Sequence, residues 1–260
     1  MTSAPLVHRT AVTGRPGVLL DVDGTLIDSN YLHTLAWSRA LSDAGEWAPM
    51  NAIHRLVGMG GDQLVPHLLG HDSEIASQAR PRRYRELMDE VRAFPGAADL
   101  VRYLHDRGLV VVLATSSPQD ELDAALQVLG AGTAIDAHTT KDDVKESKPA
   151  PDLFQVALHM GGVDPHLALV IGDSVWDIDA ARAADLPCVG VETGGFSSHE
   201  LSAAGAVHVY QDVHQMLDQI HAGPLGQLLD HAIQLDRRSD LGLPTGEEKA
   251  RTNRALDPPT

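Results

Sequence analysis

Four short apolar runs, Val18-Leu19-Leu20, Leu109 to Ala114, Ala168 to Ile171 and Cys188 to Val191, constrain this chain more than any other feature. None alternates apolar with polar residues, as a strand with one wet face must, so each reads as a strand buried on both faces. Helical patterning fills the intervals, from about Ala97 to Asp106, Asp120 to Leu129, Asp152 to Met160 and Trp176 to Ala184. Weaker strands near Ala137 to Thr139 and Val207 to Tyr210 extend the series. Strands that alternate with helices pair in parallel and are covered on both faces, so the expected class is α/β.

One interval breaks the rhythm. From Tyr31 to about Glu90 the chain is helical throughout, in segments near Tyr31 to Ala44, Met50 to Val57, Gln63 to Leu69 and Glu74 to Val91, parted by Gly and Pro. This is the pattern of an all-helical cap, residues 31–91, inserted into a core formed by residues 17–30 and 92–221. Residues 1–16 hold Arg9 and Arg15 but no apolar stretch, and are expected to be a flexible, untargeted tail. Beyond Ala222 the pattern fades into Gly, Pro and alternating charge, and 222–260 is expected to be a loosely ordered tail.

Composition narrows the partners. With 43% apolar residues in 260 there is material for a real core, yet no run of about 18 apolar residues to span a membrane. Twenty basic against 36 acidic residues leave a net charge of −16, which repels nucleic acid and anionic lipid. The lone Cys188 cannot form an intrachain disulfide, which fits a reducing, cytoplasmic setting.

Ligands of open α/β sheets bind at the carboxyl ends of the strands. Asp21-Val22-Asp23-Gly24-Thr25 lies at one such end, Thr115-Ser116-Ser117 at a second and Gly172-Asp173 at a third, while Lys148 sits in a loop before a helix. Asp21 and Asp23 stand two apart at the strand end, and Gly24 lets the chain turn at once, so both can flank one reaction centre. Asp173, with Asp177 one helical turn on, completes an oxygen-rich pocket for a hard cation, and oxygen-only ligands favour Mg²⁺ over zinc. Lys148 adds a point charge and Thr115 a hydroxyl, a set suited to a phosphoryl dianion. A calcium loop is excluded, because Leu26 stands where an EF-hand needs glycine. No Gly-Lys-Ser/Thr is present, so this is not a P-loop protein.

These segments, in this order and spacing, resemble the four motifs of the haloacid dehalogenase superfamily over about residues 17–215. The resemblance implies a Rossmann-like core of strand order 5-4-1-2-3, a helical cap over the site, and Mg²⁺. An aspartate two residues after the nucleophile is the mark of its phosphotransferases, and Asp23 holds that place. Asp21 is then the nucleophile and Asp23 the acid and base. The Asp21 and Asp173 carboxylates and the Asp23 carbonyl would be metal ligands with Asp177 behind them, and Lys148 and Thr115 would bind phosphoryl oxygens. Asp21, Asp173, Asp177 and a phosphate dianion sum to about −5 against +3 from Mg²⁺ and Lys148, leaving the rest to hydroxyls and backbone N–H groups.

The cap is expected to set the substrate, a small phosphorylated metabolite. Ser116, His33, Gly60 and Gly61 are the candidate binding residues. His33, with Trp37 one turn along the same helix, is similar to the cap entry of β-phosphoglucomutases and sugar-phosphate phosphatases. The loop Gly58 to Asp62 offers glycine where those mutases place an arginine clamp, which favours a phosphatase over a mutase. A non-catalytic protein binding a phosphate ligand is the third reading. Arg80, Arg82, Arg83 and Arg85 read as a solvated helix face from which only Arg80 is placed to reach inward. His67 and His71 have metal-ligand spacing but no third ligand nearby.

Overall fold

A computed structural model describes residues 14–240. In chain order it contains β1 (Arg15–Leu20), β2 (Ile27–Asp28), α1 (Asn30–Asp43), α2 (Met50–Leu56), α3 (Gly61–Leu69), α4 (Glu74–Arg85), β3 (Arg92–Ala93), α5 (Ala97–Asp106) and β4 (Val110–Ala114). There follow α6 (Gln119–Leu129), β5 (Ala137–Thr139), α7 (Asp152–Gly161), β6 (Val163–Gly172), α8 (Val175–Ala183), β7 (Cys188–Val191), α9 (Ser198–Ala204), β8 (His208–Tyr210), α10 (Val213–Asp218) and α11 (Gly223–Asp240).

Six strands form one parallel sheet in the order β5-β4-β1-β6-β7-β8. Read from β7 to β5 this is the expected five-strand order, with β8 added at the edge. Strand β1 is central, Val18 pairing with Val111 on one side and Leu169 on the other. Its side chains alternate between two cores, as a pleated strand requires. Val18 and Leu20 join the cluster with Leu100, Val111 and Leu225, whereas Leu19 joins Val110, Val112 and Phe154. Helix α5 shows why the helices dock: Ala97, Leu100, Val101 and Leu104 recur on one stripe and are buried, each leucine contributing about 1.5–3 kcal/mol.

Helices α1 to α4 form the cap around a third core of Trp37, Leu41, Ile53 and Leu64. The two-residue strands β2 and β3 pair antiparallel where the chain leaves and re-enters the sheet layer.

The C-terminal expectation is corrected. Residues 223–240 are helix α11, with Leu225 and Leu229 fully buried against the sheet and Ala232 nearly so. The apolar residues follow the helical i, i+4, i+7 spacing; Gly223 and Pro224, which open the helix, disguise it as a breaker. Strand β6 begins at Val163, earlier than its apolar run, because Val163 pairs with Arg15. The expectations for residues 1–13 and 241–260 lie outside the described residues.

Candidate active site

The carboxyl end of β1 is pinned by the Asp21 N–H, which donates to the Ile171 carbonyl at 2.9 Å. Gly24 then turns with φ of +82°, and its N–H donates to the Ile27 carbonyl. A side chain there would fall on the Asn30 amide and the Asp173 carboxylate, so the position needs glycine for both conformation and space. The turn brings Asp21 and Asp23 to the same side of the sheet, as the sequence pattern requires.

Lys148 is the cation of the site, and its side chain is fully buried. Its Nζ lies 2.5 Å from Asp21 Oδ1 and 2.6 Å from Asp177 Oδ1. Burial would lower its pKa, but the facing Asp177 and Asp21 carry it above the ordinary lysine value. Asp173 accepts from the Thr25 hydroxyl at 3.1 Å and from the Asn30 amide at 2.9 Å. Asp177 also accepts from the Ser174 hydroxyl and N–H, closing a capping box at the start of α8.

Three buried carboxylates thus face one ammonium. Oxygens of Asp21, Asp173 and Asp177 all lie within 4.8 Å of one another. Burial pushes the Asp21 carboxyl up to about 7 against the pull of Lys148, with Asp177 and Asp23 adding to the rise. Burial, Asp21 and Asp177 push Asp173 well above its usual range. Such crowding of like charge is relieved by a proton or by a further cation. Gly24 and Gly194 leave the slot that the Asp173 carboxylate fills. A metal ion fits this donor set of hard oxygens.

Asp23 has a different environment. Its Oδ1 accepts from the Ser29 hydroxyl at 2.6 Å and lies 2.9 Å from His33 Nε2. Its Oδ2 accepts from the hydroxyls of Ser117 at 2.8 Å and Thr115 at 3.4 Å. Although burial acts to raise it, His33, Ser29 and Ser117 hold the Asp23 carboxyl well below the usual range. His33 Nδ1 lies 2.6 Å from Arg80 Nη2. A guanidinium only donates, so Nδ1 accepts and the proton of a neutral His33 sits on Nε2, directed at Asp23. Arg80 also pairs with Glu121 of α6, a buried ion pair between cap and core. Tyr84 stacks on the His33 ring at 4.1 Å.

These groups floor a cavity of about 450 Å³ between cap and sheet. Asp21, Asp23, Thr115 and Ser116 line its base, His33, Trp37, Gly61 and Arg80 its cap wall, and Lys141 and Lys145 are further members of the lining. Gly60 packs so closely on Ser147 that a side chain there would collide with it, which seats the cap loop beside Lys148. Gly61 gives its space to the Trp37 ring.

The structure therefore brings together Asp21, Asp23, Thr115, Lys148, Asp173 and Asp177, with His33, Ser116 and Gly61 along the cavity and Gly60 against Ser147. It differs from expectation in detail. Asp177 holds Lys148 and caps a helix, roles that a two-dimensional motif does not reveal. The arginines follow the expectation: Arg82 and Arg83 pair with Asp43 on the surface as a solvated face should, and Arg80 reaches inward to the site. His67 packs edge-on to Trp176 and His71 faces Glu46, and no metal cluster forms around them among the described residues. Thr25, Ser29, Asn30, Ser117 and Glu121 were not legible as site residues. Thr25 and Ser117 carried a signal, as the last residue of the first motif and as a third hydroxyl in a row at a strand end, but no role.

The family model for haloacid dehalogenase-like hydrolases matches residues 16–185. A phosphoglycolate phosphatase of Pseudomonas putida is 29% identical over 251 residues, covering 92% of each chain. The fructose-1-phosphate phosphatase YqaB of Escherichia coli is 31% identical over 187 residues, 67% of this chain and 95% of its own. Among solved structures, a hydrolase from Pseudomonas syringae superposes with a TM-score of 0.75 at 35% identity, over 79% of this chain and 98% of its own. With the sheet order, the cap and the four strand-end clusters in agreement with that match, the chain belongs to the haloacid dehalogenase-like hydrolase family.

Proposed function

We propose that the protein is a Mg²⁺-dependent phosphatase that removes the phosphoryl group from a small phosphorylated metabolite, working in the cytoplasm. One observation carries the reading: a carboxylate, Asp21, is held between a buried lysine and two further carboxylates, with a second, differently tuned carboxylate, Asp23, across the same cavity.

Asp21 attacks phosphorus and forms an aspartyl-phosphate while the P–O bond to the leaving alcohol breaks. Asp23, ionised in the open site, takes up a proton as the phosphoryl dianion enters and raises its pKa, gives it to that oxygen, and then takes one from the water that hydrolyses the intermediate. The hydroxyls of Ser117 and Thr115 can turn to accept as well as donate, so Oδ2 is able to carry the proton. Lys148 keeps Asp21 anionic and, with Thr115 and Ser116, lies where phosphoryl oxygens are received. Asp21, Asp173 and the Asp23 carbonyl would hold the ion, with Asp177 behind them; bound there, Mg²⁺ supplies the positive charge that lets two anions meet.

The phosphatase is favoured over a mutase by the fate of the one cap arginine in the cavity. Arg80 has one Nη on Glu121 and the other on His33, so it cannot grip a second phosphate bidentately. A panel of phosphorylated metabolites, with phosphate release as readout, tests this directly. Steady release that is lost with EDTA, restored by Mg²⁺ and unaffected by bisphosphates is expected. Isomerisation of glucose 1-phosphate to the 6-phosphate, stimulated by a bisphosphate and without release, would reverse the choice.

A further inference from the structure

Asn30 is the first residue of α1 and is 5% exposed. Its Nδ2 donates to Asp173 Oδ2 at 2.9 Å and lies 3.5 Å from the Gly194 carbonyl. Both neighbours are acceptors, which settles the orientation of the amide. Thr25 Oγ1 lies 3.1 Å from the other oxygen of Asp173 and 3.3 Å from Asp21 Oδ2, so its one proton serves either carboxylate, whereas both acceptors within reach of the Asn30 amide hold it on Asp173. We propose that Asn30 is a positioning residue for Asp173, tying the first turn of the cap to the metal site; this rests on the Mg²⁺ reading given above.

Two features set it apart from a residue kept for the fold. Its Oδ1 is buried without a hydrogen-bond partner, which costs stability. Asparagine is also a poorer helix former than alanine, and Asn30 does not cap its helix, because the cap position belongs to Ser29. What it does is hold Asp173 toward Asp21 and Asp177 against their like charge. One turn on, His33 donates to Asp23. The same helix thus reaches both the metal-binding carboxylates and the acid–base carboxylate, through two separate side chains.

The test is calorimetric titration of Mg²⁺ into the metal-free full chain, paired with a thermal melt of the same samples. Asn30→Ala is expected to weaken Mg²⁺ binding about tenfold or more while its metal-free melting temperature stays level or rises. Asn30→Ser, polar but too short to span the gap, should weaken it similarly. Leu41→Ala, which loosens the same helix within the cap core and touches no site residue, should lower the melting temperature but leave the affinity within about twofold. Wild-type affinity in both Asn30 variants would overturn the inference, as would an equal loss in Leu41→Ala, which would point to a displaced helix. Absence of Mg²⁺ binding in the wild type would overturn the metal reading itself along with it, and shows before any variant is made.

Discussion

At the residue scale, the site is a contrast between two aspartates two positions apart. Asp21 is crowded by carboxylates and rescued by Lys148, whereas Asp23 is surrounded by donors. Asp21→Asn keeps the shape and removes the nucleophile, so phosphate release should fall about 10³-fold or more with an unchanged far-UV spectrum. Retention of more than a few per cent of wild-type turnover would exclude Asp21 from the covalent step. Lys148→Met should act on the fold instead. It leaves Asp21 and Asp177 buried without their cation, at a cost of about 3–5 kcal/mol in metal-free urea unfolding. An unchanged midpoint would mean that the carboxylates are not charged together. Asp21, Asp23, Thr115 and Asp173 were legible because charged or hydroxyl residues end apolar strands for few structural reasons, whereas Lys148, in a loop, drew its meaning from the motif order. Ser117 and Ser116 are neighbours of one type, and only the turn of the backbone decides that Ser117 reaches Asp23 while Ser116 Oγ finds no protein partner.

At the scale of elements, the cap is joined to the sheet layer on two flanks. Arg80 meets Glu121 on one; on the other Arg55 meets Glu200 at 2.5 Å and lies over the Phe196 ring. Glu200 also closes the capping box of α9 with Ser197. Hydrogen bonds from the Ser197 N–H and hydroxyl, more than the charge of Arg55, lower its pKa from 4.5 to about 2. A depressed carboxyl stabilises the fold above pH 4.5 and loses that contribution as the pH falls toward 2. Glu200→Gln should therefore flatten the acid limb of the stability curve in that window and leave the neutral region less affected. An acid limb identical to wild type would show that the pair carries no linkage. No helix was expected here, because seven residues with little apolar periodicity do not stand out as an element even behind a Ser197-x-x-Glu200 capping box. The two-residue strands β2 and β3 are shorter still, and arise only because the chain must leave and rejoin the core at one place.

For the whole molecule, the long apolar strands fixed the sheet and its helices, and the block without strands marked the cap. Residues 223–240 were misread because local breakers hid a stripe that only the finished core reveals. A chain stopped after Ala222 should lose the burial of Leu225 and Leu229, each worth about 1.5–3 kcal/mol, and melt at least about 6 °C lower. A truncated protein as stable as the full chain would show that α11 is dispensable. The position of β1 has a consequence for synthesis. Val18 leaves the ribosome early, but its partner Leu169 follows only after roughly 8–30 s at 5–20 residues per second. The cap, whose contacts are local, is complete well before then. A nascent chain therefore carries Asp21 on a strand that has at most its β4 partner until about two thirds of the residues are made, and gains Lys148 and Asp173 only in the second half of its synthesis.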